Sequence, residues 1–489
     1  MKKLTSAILL LIGAVFVALP YFTPRSSFGL AVSPWVWLSC FALYTRTRSS
    51  RRGVLIGMLV FALANGVRNT GILTFGLSQL MPAFPAAAVN FIIAFALGVI
   101  TYLPFVCDYL AFKSSDSFLG CLMLPFANVT LQMLFALLRF MPFFDLAYTQ
   151  LGNAPFIQLC ALSGEFSVAF MLCFSASGFA FTLLHPSRKV WFVWLCLLIA
   201  VNIGGSIRLW TAKNADEYLR AAYTTGPEVK MIDGEWELLP YDENKAVFER
   251  TYVTAVNGNA EIFATSEEAY SLSAKDAELF IENAATLVKQ HGVPALIGLE
   301  IHNGDDSLDE NTVVYISENG VERSYLKRYL TPFDESGYYE QGDGVLPELA
   351  INHNGKSYGF SYGICFDGDF GEYVSAMPDG TCIWFNPSWD WKSVSDAQAA
   401  IVGLRAVENG ISLLKPTHDG LSAALDKYGH VLAKHYTETE GYAQVWFTDL
   451  PLNASSTPFR YLSPYIDLIY PVGLVFVGIY LILKHRKAQ

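Results

Sequence analysis

Cys365 closes the β-like run "KSYGFSYGIC", and the residues that follow, "FDGDFGEY", break its alternation at once. A strand that ends abruptly on a cysteine and turns into a helix predicts an elbow, with Gly363 and Gly368 giving the backbone room to turn. Such an elbow exposes its side chain and aims backbone N–H groups at the place where an oxyanion would form. A thiol there can carry out acyl transfer if a base takes its proton and a cation steadies the tetrahedral intermediate. The candidate bases are Glu267, Glu268 and Glu300, near the ends of the β runs "AEIFAT" and "PALIGLEI". The candidate cation is Lys327, at the end of a hairpin strand, from which a side chain can reach a neighbouring strand's end. Residue types alone leave a second reading open, in which Cys365 is a buried core cysteine.

The elements that must position these groups follow from the pattern around them. "VKMIDG", "AEIFAT" and "PALIGLEI" predict strands, and "SAKDAELFIENAATLVKQHG" predicts a helix ending at Gly292. "NTVVYISENGVERSYLK" predicts a hairpin, with Asn319-Gly320 supplying the positive φ of a tight turn. "KSYGFSYGIC" and "TCIWFNP" are further strands, "SDAQAAIVGLRAVENG" is a helix, and "ISLLKPT", "LSAALDKYGHVLAKH" and "YAQVWFTDL" complete the sheet. Short β runs alternating with amphipathic helices predict an α/β sandwich. Trp384, on its strand, is expected to pack in the core. Trp389 and Trp391, in a polar loop, suit a lipid-facing substrate entrance as well as they suit packing. His418 beside Asp419 is expected to make a local hydrogen bond.

Composition sets this domain in a membrane protein. Of the 489 residues 53% are hydrophobic and 16% charged, against roughly 45–50% and about 25% in soluble chains. The excess lies at the two ends, which predicts three parts: residues 1–210 with seven spans, residues 211–463 as a globular domain, and residues 464–489 as a last span with a tail. Spans are expected at Leu4 to Phe22, Phe28 to Tyr44, Gly53 to the Leu73 region, Ala86 to Phe112, Ser117 to Met141, Pro155 to Leu184, Val190 to Leu209 and Pro464 to Leu483. The first follows Lys2 and Lys3 like a signal peptide, but more spans come at once without a small-residue cleavage site, so it is expected to be retained. Asn65, Arg68 and Asn69 interrupt the third, and Asp108 and Glu165 place carboxylates in or near membrane depth, where a charge is costly.

Lys and Arg cluster at alternate span ends: Lys2 and Lys3, then Arg46, Arg48, Arg51 and Arg52, then Lys113, then Arg188 and Lys189, then Lys484, Arg486 and Lys487. Arg25, Arg68, Arg139, Arg208 and Arg460 are sparser at the opposite ends. The bias puts both termini inside and the globular domain on the outer side of the membrane. The formal net charge of −11 argues against a nucleic-acid surface, which needs clustered Lys and Arg. Six of the eight cysteines lie in apolar runs, leaving Cys365 and Cys382. There is no zinc-type Cys/His spacing, no P-loop and no dinucleotide fingerprint, so neither metal nor cofactor is expected.

Several segments carry a resemblance. These are "IFATSEEAY", "YLKRYLTPFDE", "YGICFDGDF", "NPSWDW" and "AQAAIVGLRAVENGISLLKPTHDGLSAALDKYGHVLA", together with the loop "AYTQLGNAPFIQL". In their order they resemble the carbon-nitrogen hydrolase, or nitrilase, superfamily with its Glu-Lys-Cys triad. The whole chain resembles a divergent member of the apolipoprotein N-acyltransferase family. The resemblance implies an αββα sandwich outside the cytoplasm, Cys365 as nucleophile, Lys327 as catalytic lysine and Glu335 as an accessory carboxylate. Asp367 stands where the family usually has glutamate and Phe366 where it has tyrosine. Thr265 and Ser266 replace a Trp-Pro pair ahead of the glutamate, so Glu267 is the matching base, with Glu268 one residue away.

The implied reaction moves an acyl chain from a membrane phospholipid, through a thioester on Cys365, to the N-terminal amine of a bacterial apolipoprotein, at the periplasmic side of the inner membrane. Two other functions compete with it. One is a membrane-tethered nitrilase-type amidase, with water as acceptor; the other is a non-catalytic polytopic binding or transport protein.

Overall fold

Apolar runs of about 20 residues have no water to satisfy their backbone groups within a bilayer, so they fold as helices. In the computed structural model of the protein the described residues are 2–23, 27–48, 50–72, 83–114, 117–139, 146–186, 189, 192–228, 231–232, 235–236, 239–304, 307–332 and 335–488. Among them, six helices are long and apolar enough to cross a membrane: Leu4–Phe22, Phe84–Ser114, Phe118–Leu137, Glu165–Leu184, Phe192–Trp210 and Pro458–Arg486. The expected second and third spans are helices, Ser27–Arg46 and Arg51–Arg68, but do not belong to that set. Leu73, Met141 and Val190, at expected span limits, and Arg25 and Arg188 of the charge pattern lie outside the described residues.

The described chain divides into two compact units, Met1–Ala212 with Tyr461–Gln489, and Lys213–Arg460. In the helical unit large apolar side chains face outward, such as Leu11, Phe84, Ile203 and Phe476. A surface of that kind suits lipid and does not suit water.

Polar residues in this unit sit differently from the expectation. Asn65 does not break its helix: it is buried in the last turn and donates to Ala94 O at 2.8 Å. The span expected from Pro155 is broken into the turns Ala154–Ile157 and Cys160–Ser163, then Gly164 at φ 75°. The helix proper starts at Glu165, which therefore lies in a first turn, where the helix dipole favours a carboxylate. Asp108 is fully buried and accepts from Arg46 Nε and Nη2, each at 2.8 Å. Arg46 Nη1 also donates to Ser177 O at 2.5 Å. One guanidinium thus ties Ser27–Arg46 to Leu103–Ser114 and Glu165–Leu184.

The second unit is built of two facing sheets. The first runs in the order Val445–Pro451, Tyr218–Thr224, Ile262–Thr265, Ala295–His302, Glu310–Ser317, Gly320–Leu326, with Tyr270–Ser273 also paired to Ala295–His302. The second runs Val431–Tyr436, Leu421–Leu425, Ser412–Lys415, Thr381–Phe385, Lys356–Tyr362, Leu349–His353. Each has a parallel centre. Because side chains alternate along a strand, each sheet has an inner and an outer face. Ala221, Tyr223, Leu296, Val313, Phe360, Tyr362, Ile383 and Leu414 fill the space between the sheets. Ala222, Phe263, Ile297 and Val314 pack outward against Phe248, Tyr252, Phe280 and Ala284 of helices Tyr241–Asn257 and Ala274–His291. The buried helix Ser395–Asn409 covers the second sheet, giving αββα layers.

Local details depart from the sequence reading. Of "VKMIDG" only Met231–Ile232 pairs, in a two-strand ladder with Glu235–Trp236; Val229, Lys230, Asp233 and Gly234 lie outside the described residues. The strand Tyr218–Thr224 and the helix Tyr241–Asn257 were not anticipated. The hairpin turn takes its positive φ from Gly320 (105°) and not from Asn319.

The Arg46 clasp makes a prediction. Asp108→Ala leaves a guanidinium buried without its carboxylate, and such a loss is worth roughly 3–5 kcal/mol. The thermal midpoint of the purified protein in detergent should fall sharply, while Asp467→Ala, at the last helix, should shift it far less.

Candidate active site

Strand direction decides which side chains can meet. Ile262–Thr265 and Ala295–His302 are parallel. Glu310–Ser317 runs against the latter and Gly320–Leu326 runs back again. Two reversals restore direction, so the residues that follow Thr265 and Leu326 leave the sheet at the same end. Glu267 and Lys327 are those residues. In the facing sheet Cys365 follows the strand Lys356–Tyr362.

Glu267 is 1% exposed, and both of its oxygens accept. Oε1 takes Lys327 Nζ at 2.6 Å and Asn311 Nδ2 at 2.8 Å; Oε2 takes the backbone N–H of Trp389 at 2.6 Å. Gly298 makes the turn ahead of Glu267 fit. A Cβ there would come within 2.0 Å of Ser266 O and 3.1 Å of Glu267 Cα. Lys327 is 1% exposed, its backbone N–H donates to Asn311 O at 3.0 Å, and its ammonium also bonds Glu335. Glu335 is held in turn by Thr331 N–H at 2.7 Å. Burial pushes the ammonium's pKa down, but the carboxylates of Glu267 and Glu335 outweigh it and the net direction is well up. Lys327 is therefore held charged.

Cys365 sits on the short 3-10 turn Cys365–Asp369 with φ 43°, in the left-handed region, which an L side chain adopts only at a cost in strain. The expected glycines do not make this elbow: the positive φ belongs to Cys365 itself. Gly363 and Gly368 instead leave space for Trp384 and Asn386, which a Cβ would approach to 2.9 and 3.0 Å. The Cys365 N–H donates to Pro387 O at 2.8 Å, and Sγ lies 3.7 Å from Trp389 O. Burial pushes the thiol well up, Glu267 pushes it further, and Lys327 opposes both.

The other sequence candidates fall into distinct places. Glu268, at φ 48°, accepts from Asn311 Nδ2 at 2.7 Å. Burial and then the charges of Glu300 and Glu267 push it well up. Glu300 belongs to a separate group: it accepts from Ser271 Oγ at 2.6 Å and Tyr339 OH at 2.7 Å and lies 3.5 Å from His302. Asp367 is fully buried and anchors the cysteine turn, accepting from Ile364 N–H at 2.9 Å, Tyr325 OH at 2.7 Å and Tyr329 N–H at 2.8 Å. Burial raises it to about 6 against those bonds.

Trp389 and Trp391 are half-buried. The Trp389 indole donates to Asp419 Oδ2 at 3.2 Å and its ring packs on His418, 4.4 Å between centroids. Trp384 is fully buried. His418 differs from the expectation of a local hydrogen bond: its Nε2 bonds Pro227 O at 3.2 Å, far away in the chain, and its Nδ1 lies 3.4 Å from Asp419 Oδ2. Sequence reasoning missed Asn311, which bonds Glu267, Glu268 and the Lys327 backbone. Its signal was a polar side chain in the otherwise buried strand "ENTVVYIS". It also missed the Trp389 peptide, which no side-chain pattern can reveal.

No family model matches the chain. Curated relatives do. The apolipoprotein N-acyltransferase of Vibrio vulnificus is 22% identical over 356 residues, 67% of this chain and 67% of the relative. That of Borreliella burgdorferi is 23% identical over 409 residues, 72% of this chain and 76% of the relative. The chain is a divergent member of the apolipoprotein N-acyltransferase family. An amidase from Nesterenkonia sp. aligns at 18% identity over 51% of this chain and 94% of its own, with a TM-score of 0.41. Its relatives, and the six apolar helices of membrane-spanning length among its described residues, make this acyltransferase a membrane enzyme.

Two measurements follow from the acyltransferase's geometry. Gly298→Ala forces the backbone ahead of Glu267 to move; a stability loss of about 1–3 kcal/mol is expected, with a loss of any Cys365-dependent activity. Asp367 binds its proton more tightly folded than unfolded, so its contribution is present below pH 4 and is lost as pH rises through 6. The stability difference between the native protein and Asp367→Asn should therefore fall by about 3 kcal/mol between pH 3.5 and 7. A flat difference in denaturant titrations across that range refutes the assignment.

Proposed function

We propose that this acyltransferase moves an acyl chain from a membrane phospholipid to the N-terminal amine of a lipid-modified bacterial apolipoprotein, with Glu267, Lys327 and Cys365 as its catalytic residues. The observation that carries the reading is the shared Trp389 peptide. Its N–H is bonded to Glu267, its carbonyl faces Cys365 Sγ, and Glu267 is also bonded to the charged Lys327. Base, nucleophile and cation are thereby gathered in one buried place, and the arrangement suits nucleophilic acyl transfer.

In the first half-reaction Glu267 takes the Cys365 proton and the thiolate attacks the ester carbonyl. Lys327 Nζ steadies the oxyanion. The C–S bond forms, the ester C–O bond breaks, and Glu267 returns the proton to the lysophospholipid hydroxyl. In the second half-reaction the acceptor's amine, having released its extra proton to solvent, attacks the thioester. The C–N bond forms, the C–S bond breaks, and Glu267 passes the amine proton to sulfur. Glu335 keeps Lys327 in place and Asp367 holds the cysteine turn. Trp389 and Trp391 flank the entrance for the acyl chain.

Membrane helices keep such an enzyme where its donor resides, and the Lys and Arg bias of the span ends supports a domain on the periplasmic side of the inner membrane. Lipoprotein maturation is the process this serves.

Intact-protein mass spectrometry after incubation with phospholipid tests the proposal. A hydroxylamine-labile acyl adduct is expected on the native protein and none on Cys365→Ser. Glu267→Gln should form the adduct at least ~100-fold more slowly. Folded native protein that never acquires the adduct would sink phospholipid-dependent transfer and favour hydrolysis of a soluble amide.

A further inference from the structure

The reaction just described gives no part to the buried ion pair of Lys415 and Asp390 in the same domain. Lys415 Nζ lies 2.8 Å from Asp390 Oδ2, with the two side chains 0% and 2% exposed. Burying two charges roughly cancels their attraction, so such a pair is a poor source of stability. Its place in the chain suggests another use. Asp390 directly follows Trp389, whose backbone touches both Glu267 and Cys365. Asp390 is itself closely held. Its N–H donates to His418 O at 3.0 Å, and its carboxylate takes Lys415, which also reaches Thr417 Oγ1 at 3.1 Å. The ladder between Ser388–Trp389 and Thr417–His418 runs alongside. Gly420 closes the remaining side, since a Cβ there would meet Asp390 Cβ at 2.7 Å.

We propose that the Asp390–Lys415 pair is a positioning device for acyl transfer: it fixes the Trp389 peptide between Glu267 and Cys365 and sets two balanced charges behind the thiol. The inference rests on Cys365 being the nucleophile. The charged groups facing Cys365 are Glu267 beyond Thr265, Lys327 at the hairpin end, Asp390 in the loop after Thr381–Phe385, and Lys415 at the end of its strand. On its own turn, Asp367 is turned toward Tyr325 and the Tyr329 N–H, and Asp369 toward Gln398. Asp390 pushes the thiol up and Lys415 pushes it down. While both are present their effects oppose each other. Removing one member must move the thiol in the direction set by the charge that stays.

The test is the pH profile of Cys365 alkylation by iodoacetamide, read by mass spectrometry on the full chain in detergent. Asp390→Asn leaves Lys415 alone and should lower the midpoint by about one pH unit, whereas Lys415→Gln should raise it by about as much. Lys415→Arg should restore the native midpoint. Shifts in the same direction, or none in folded variants, overturn the proposal, because the charge that stays must move the thiol by its own sign.

Where a single variant fails to fold, the double variant Asp390→Asn/Lys415→Gln, which leaves no unpaired buried charge, carries the test. Its acylation burst with p-nitrophenyl butyrate should slow at least tenfold at an unchanged midpoint, and a native burst rate overturns the positioning role. Alkylation and the activated ester need neither phospholipid nor apolipoprotein. Failure of the proposed physiological reaction therefore leaves these outcomes readable.

Discussion

A lysine ammonium buried to 1% of its surface is the constraint on which the catalytic domain depends. An unpaired ammonium at that depth would lose its proton or unfold its surroundings. Glu267 and Glu335 keep it charged, and Asn311 supplies the donor that Glu267 needs beside it. Each partner arrives from a different segment: the end of Ile262–Thr265, the loop after Lys327, and the strand Glu310–Ser317. Meeting that one charge fixes the register of three strands and the path of the loop that carries Glu335.

The sandwich makes this meeting possible through direction. Parallel strands all leave their sheet at one end, and functional groups gather beyond those ends. The chain reverses on entering the hairpin Glu310–Leu326 and again within it, so Lys327 emerges beside Glu267. The facing sheet brings Cys365 to the same place on a strained turn, and Asp367 secures that turn with three accepted hydrogen bonds. Strain at Cys365 and burial of Asp367 are both unfavourable locally. They persist because the close-packed layers around them leave few alternatives.

The helical unit solves a related problem in an apolar setting. Arg46 and Asp108 satisfy each other across two helices, and Ser177 completes the set from a third. A polar cluster of this kind fixes which helices are neighbours, where apolar faces alone would allow many arrangements. Outward-facing Leu, Ile and Phe side chains then have only lipid to meet.

The sequence by itself determined the class of the chain, the α/β character of its domain and a short set of chemistry-bearing residues. Hydropathy and strand alternation are local, periodic signals, and Cys365 at a broken β run was legible in the same way. The motifs around Lys327 and Glu267 added weight through resemblance. Less was legible where the cause is not local. The Glu165 helix starts ten residues later than the apolar run because Gly164 adopts φ 75°, and the elbow strain falls on Cys365 and not on its glycines. The choice among Glu267, Glu268 and Glu300 as partner of Lys327 required the strand register. So did the role of the Trp389 peptide and the pairing of Asp390 with Lys415. A backbone group carries no signature in a sequence, and a buried charge finds its partner only when distant strands are set side by side.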